Sequence, residues 1–208
     1  MTPYLKFGGA NVVAVRCEAS AQPASRWYSG GGIYRHVRLV TANPIHVEPD
    51  GLFVSTPEVA SDQAVVRVET SVTNETKEAR EVTVQASLIS PEGKNVAAVE
   101  TKLTVTNGVS TPVTQRMVIS KPELWNLDSP KLYRVVVKVL SGKTELDETA
   151  TMLGVRDAHF EPETGFWLNG KNFKILGVCL HHDGGAFGAA VPIGVWQDRL
   201  ETLRLLGV

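Results

Sequence analysis

Apolar residues recur at every second position over much of this chain. Val66, Val68 and Val72 alternate with Arg67, Glu69 and Ser71, and Val82, Val84, Ala86 and Leu88 alternate with Glu81, Thr83, Gln85 and Ser87. A period of two puts one set of side chains on each face of a strand, so both segments predict half-buried β-strands. More strands are predicted over 96–105, 113–119, 132–140 and 145–153, separated by turn signals at Pro91-Glu92-Gly93, Asn107-Gly108 and Ser141-Gly142. Their number and spacing between about 41 and 155 fit an immunoglobulin-like β-sandwich, without the Cys…Trp…Cys pattern of antibody domains.

The flanks read differently. Residues 1–40 alternate at Val13 and Val15, turn at Gly30-Gly31-Gly32, and show a second strand pattern over 33–40. Two or three strands cannot bury a core, so this segment reads as the tail of a larger β-domain. After Arg156, a hairpin is predicted around Phe166-Trp167-Leu168, Asn169-Gly170 and Phe173. KILGVCL at 174–180 reads as a strand of a buried parallel sheet, and a Gly/Ala-rich loop at 184–190 leads to Pro192. Residues 193–208 predict an amphipathic helix with Trp196, Leu200, Leu203 and Leu206 on its apolar stripe. This βα unit lacks partner strands, so the chain reads as cut at Gly207-Val208, and Tyr4-Leu5-Lys6-Phe7 reads as an interior start.

Composition narrows the function. The 208 residues are 43% hydrophobic and 21% charged, which is globular material. With 21 basic against 22 acidic residues, no electrostatic footprint for nucleic acid or an anionic membrane is present, and a neutral ligand fits better. Cys17 and Cys179 lack CxxC spacing, so neither a zinc site nor a dense disulfide framework is indicated. No run approaches the roughly 18 apolar residues of a membrane helix. The compartment stays open, periplasmic or secreted locations included.

Four stretches together resemble glycoside hydrolase family 2, in its β-galactosidase branch. SRWYSGGGIYRHVRLV at 25–40 is similar to the end of the family's sugar-binding jelly roll, and PELWNLDSPKLY at 122–133 to a signature late in its immunoglobulin-like domain. LGVRDAHFEPETGFWLNGKNFKILGV at 153–178 resembles the hinge into the catalytic barrel, and GVCLHHD at 177–183 the first barrel strand. Cys179, Leu180, His182 and His36 depart from the residues common there, and the β-glucuronidase and β-mannosidase branches share the framework. The implied fold class is mainly β, an immunoglobulin-like sandwich flanked by a partial jelly roll and the first βα unit of a TIM barrel. The implied domains are 1–40, the C-terminal part of the jelly roll; 41–155, the sandwich; and 156–208, the hinge and first βα unit of a truncated barrel.

The resemblance implies a parent that hydrolyses terminal β-galactosides with retention. That chemistry needs two carboxyl groups about 5–5.5 Å apart. In the family both are glutamates on later strands of a barrel of roughly 250 residues, and only about forty residues follow position 165. No catalytic residue is therefore expected here, and Glu161, Glu163, Asp198 and Glu201 read as solvated surface charges. His181, at the carboxyl end of the first barrel strand, matches the family histidine that contacts the sugar. Asp183 points the same way in an extended chain and is the second candidate, whereas His182 faces opposite. Arg26 and Trp27 pair a cation with an aromatic near the implied site entrance and complete the substrate-binding set. Trp125, Tyr133 and Arg156 read as structural. Adjacent His181, His182 and Asp183 diverge along a strand, so no metal site is assigned. No cofactor is assigned either; a divalent or monovalent cation in the full-length parent is left open. The implied partner is carbohydrate, with homo-oligomerisation left open. The competing reading is a non-catalytic carbohydrate-binding or structural β-sandwich module.

Overall fold

The computed structural model describes residues 2–18 and 32–208. Two units are defined, one of 40–175 and one of 1–39 with 176–208.

In the first unit the alternating segments form strands. β1 (Ile45–Val59), β2 (Gln63–Asn74), β3 (Arg80–Ile89), β4 (Asn95–Val105), β5 (Thr111–Ser120), β6 (Tyr133–Ser141) and β7 (Thr144–Leu153) make two antiparallel sheets, ordered β1-β2-β5 and β4-β3-β6-β7. The fourth strand pairs with β3 rather than β5, giving a three-on-four sandwich. Val66, Val68, Val72, Val113, Met117 and Ile119 from one sheet meet Val82, Val84, Leu88, Val135, Val137 and Val139 from the other in one core. Valine suits this position because its branched Cβ loses little freedom on a pleated surface.

Buried polar groups tie the sheets together. The Gln115 Nε2 donates across the core to the Val84 carbonyl and to the Thr101 hydroxyl, both at 3.0 Å. At one edge the Asp147 carboxylate accepts the Val47 N–H at 2.9 Å, joining β7 to β1. Such pairing is what makes a buried or edge polar group tolerable.

β1 carries no signal in the alternation, since Pro49-Asp50-Gly51 and Pro57 interrupt it. The register against β2 shifts at both places, between Val47 and Leu52 and between Ser55 and Glu58, so two bulges absorb the interruptions. A Cβ on Gly51 would lie 2.9 Å from the Glu48 carbonyl oxygen and 3.1 Å from that of Ser71. Gly51→Ala is therefore expected to destabilise the sandwich by about 1–3 kcal/mol, by overpacking against backbone. A chemical denaturation series reads this as a lower midpoint at unchanged slope.

Beyond the sandwich, β8 (Ala158–Glu161), β9 (Gly165–Leu168) and β10 (Lys171–Phe173) form a small meander. The expected hairpin is β9–β10, turning at Asn169 and Gly170 with φ of 50° and 74°, as a two-residue turn of the primed type demands. β8 was not legible in the period-two pattern.

In the second unit the structure departs from expectation. Among the described residues, 5–18 and 32–39 contain no strand, and neither does 176–182. Residues 174–175, which belong to the first unit, are likewise outside any strand. Strand hydrogen bonds are made only with a neighbouring strand, and no segment described beside these offers one. Their apolar side chains stay in solvent, Leu39 at 74% exposure and Ile175 at 61%. The helix does form, as α1 (Ile193–Leu205), closed by hydrogen bonds from Gly207 N–H to Arg204 O and Val208 N–H to Leu203 O, both 3.1 Å. None of its residues is buried: of the expected stripe, Leu200 and Leu206 are exposed and Trp196 and Leu203 half-buried.

Candidate functional site

The structure accounts for the residues of 122–133 and 153–170. Tyr133 is buried, and its hydroxyl accepts the Glu123 N–H at 2.9 Å, fixing the segment that leads to Trp125. The Trp125 N–H donates to the Val155 carbonyl at 2.8 Å, and the Arg156 guanidinium lies 4.9 Å over the Trp125 ring. Asn169 then fastens the meander, its Nδ2 donating to the Trp125 carbonyl at 2.9 Å and its Oδ1 accepting the Asp157 N–H at 3.1 Å. The conspicuous aromatics and arginine of 122–133 and 153–170 thus hold the sandwich to the meander, work that uses their hydrogen-bonding capacity and the face of the indole.

His181, His182 and Asp183 lie in the other unit, on the segment before α1, and all three are exposed. Among the described residues, no hydrogen bond, ion pair or ring contact engages the His181 or His182 side chain. Asp183 is held through its backbone: its carbonyl accepts from Arg199 Nη1 at 3.4 Å. The loop after it doubles back, with Gly184 N–H donating to Gly188 O at 2.8 Å and Gly188 N–H to Gly185 O at 3.0 Å. Arg26 and Trp27 lie outside the described residues.

Two open clefts, of about 530 and 560 Å³, lie on the sandwich flank. The first is lined by Val54, Thr56, Pro57 and Val59 of β1 together with Arg156 and Asp157, and neither includes a residue of 176–208. Among the described residues no group of three His, Cys, Asp or Glu side chains is arranged to hold a metal ion. Among the described residues, three surface groups are held off their ordinary protonation range. The Ser90 hydroxyl and then Glu123 keep the Glu92 carboxyl low, Glu123 raises Lys131, and Glu145 with Glu148 raises Lys138. All three belong to ion pairs on the surface of this unit, Glu92 with Lys131 and Lys138 with Glu145 and Glu148, of little weight for stability.

A three-on-four antiparallel sandwich followed in sequence by a meander and a helix places the chain among β-sandwich proteins. Residues 45–156 match the model of "Glycosyl hydrolases family 2", and the chain belongs to that family. It is 41% identical over 207 residues to "Beta-galactosidase BoGH2A" of Bacteroides ovatus, covering all of this chain and 24% of that protein. A "Putative beta-glucuronidase" of Formosa agariphila is 35% identical over 208 residues, again along the whole chain and 19% of the relative. The chain thus spans about a quarter or less of the length of these curated relatives. Among solved structures, a glycosyl hydrolase family 2 member from Bacteroides cellulosilyticus superposes with a TM-score of 0.83 at 37% identity, covering 88% of this chain and 24% of that one.

Proposed function

We propose that this chain is part of a longer retaining glycoside hydrolase acting on terminal β-galactosides, with the catalytic glutamates outside residues 1–208. In this reading 1–40 belong to a jelly-roll domain, 41–155 are the immunoglobulin-like domain, and 156–208 open the catalytic barrel. His181 and Asp183 contact sugar hydroxyls from the barrel rim, where such enzymes build their sites, and Arg26 and Trp27 line the entrance. The observation that carries the reading is the 41% identity to a β-galactosidase along the entire chain. The exposure of His181 and Asp183 agrees with it, since a sugar contact needs an unspent polar group.

A second reading, a β-glucuronidase, is favoured by the 35% identity to the Formosa agariphila relative. Steady-state kinetics of the complete gene product on nitrophenyl β-galactoside and β-glucuronide decide between them. A higher kcat/KM on the galactoside is expected, and the reverse order selects the glucuronidase. The 208-residue chain alone is expected to turn over neither substrate and to bind galactose more weakly than about 1 mM, because most contacts and both carboxylates of the mechanism lie elsewhere. Turnover by the purified chain, or micromolar galactose binding in calorimetry, contradicts this assignment.

A further inference from the structure

The segment carrying Asp183 is fastened to α1 by a side chain to which no motif points. Arg199 is half-buried on the helix, and its Nη1 donates to the Asp183 carbonyl oxygen at 3.4 Å. Its guanidinium carbon lies 5.0 Å over the Trp196 ring, three residues earlier on the same helix. Stacking on the indole limits the rotamers open to the long side chain, so less freedom is lost in making the hydrogen bond. The loop fits closely onto this arrangement. Gly184 is buried, and a Cβ there would stand 2.6 Å from Val191 Cγ2 and 3.5 Å from Arg199 Nη2. Only a glycine admits Val191 and Arg199 this near, and that approach brings the Asp183 carbonyl within reach of the guanidinium.

We propose that Arg199 is a positioning residue for the sugar-binding rim, acting through the Asp183 backbone to set where the Asp183 carboxylate stands. This rests on the reading of Asp183 as a sugar contact. The bond is made to the carbonyl, so it leaves both carboxylate oxygens of Asp183 available to accept from sugar hydroxyls. Misplacing a contact group by an ångström is enough to lower kcat/KM by roughly 10- to 100-fold.

Two measurements test the proposal separately. Amide exchange of the 208-residue chain is expected to speed up at Gly184 and Gly188 in both Arg199→Ala and Gly184→Ala, with the Gly207 and Val208 amides at the end of α1 unchanged. Unaltered exchange in Arg199→Ala overturns the latch. In the complete gene product, Arg199→Ala is expected to lower kcat/KM on nitrophenyl β-galactoside roughly 10- to 100-fold. The Arg199→Ala/Asp183→Ala double variant is expected to be no worse than Asp183→Ala, because both changes remove the same contact. Additive losses mean that Arg199 acts elsewhere and overturn the proposal. A fully active Asp183→Ala, with exchange still responding to Arg199→Ala, instead overturns the sugar-contact reading on which the proposal stands.

Discussion

Replacing Asn74 by alanine is expected to cost about 3–5 kcal/mol, among the largest losses open to a single polar substitution here. Asn74 is fully buried at the end of β2. Its Nδ2 donates to the Val105 and Glu78 carbonyls, both at 2.9 Å, while its Oδ1 accepts from the Thr76 N–H at 2.8 Å and the Thr76 hydroxyl at 2.7 Å. The Asn74 carbonyl also accepts the Gly108 N–H at 2.8 Å. One side chain therefore joins the end of one sheet to the last residue of β4 in the other. Alanine takes the donor from the Val105 carbonyl in the buried core and the acceptor from the Thr76 N–H, and leaves the Glu78 carbonyl only the Thr76 hydroxyl, at 3.0 Å. Asn74→Asp sharpens the test, because a carboxylate would face two carbonyl oxygens instead of donating to them. Its penalty is expected to exceed that of alanine at neutral pH and to ease as the pH falls toward about 4, because burial against two carbonyl oxygens raises the carboxyl's folded-state pKa and the protonated form regains a donor. Urea denaturation at two pH values measures both. A loss under about 1 kcal/mol in Asn74→Ala would mean that solvent satisfies these groups.

The second large effect falls on turnover. His181→Ala in the complete gene product is expected to cost on the order of 2–4 kcal/mol of transition-state stabilisation, comparable with the loss of one preorganised donor. The loss should appear mainly in kcat, because a hydroxyl contact that tightens as the ring flattens is made in the transition state more than in the ground state. The melting temperature should hardly move, since the His181 side chain is exposed and, among the described residues, makes no contact whose removal would be felt. Normal kinetics with a large fall in melting temperature would make His181 a packing residue.

How far the sequence reveals these features depends on the physical signal each element leaves. β3 and β5 bury one face only, and β2 does so apart from Val65, so a hydrophobic alternation had to be written into their residues, and it is legible there. β1 makes the same core contacts through Ile45, Val47 and Val54, yet its two bulges break the period and hide it. Asn74 left no signal, because one asparagine in a strand looks like a turn residue until its partners are known. The strand patterns at 33–40 and 174–180 are legible but form no strand in this chain. Apolar residues predict a strand, but a strand needs a neighbour, and Ile33, Leu39 and Ile175 stay largely exposed. Trp125 and Arg156 were legible as structural residues. Arg199 was not, since its partner is a backbone carbonyl sixteen residues away that no spacing rule announces.

The anomeric configuration of the first product tests the account most directly. Proton NMR of nitrophenyl β-galactoside hydrolysis by the complete gene product, recorded before mutarotation intervenes, should show β-galactose forming first, as two displacements at one carbon require. Initial release of α-galactose, or no glycoside cleavage at all by the folded protein, would contradict the assignment of this chain to a retaining glycoside hydrolase.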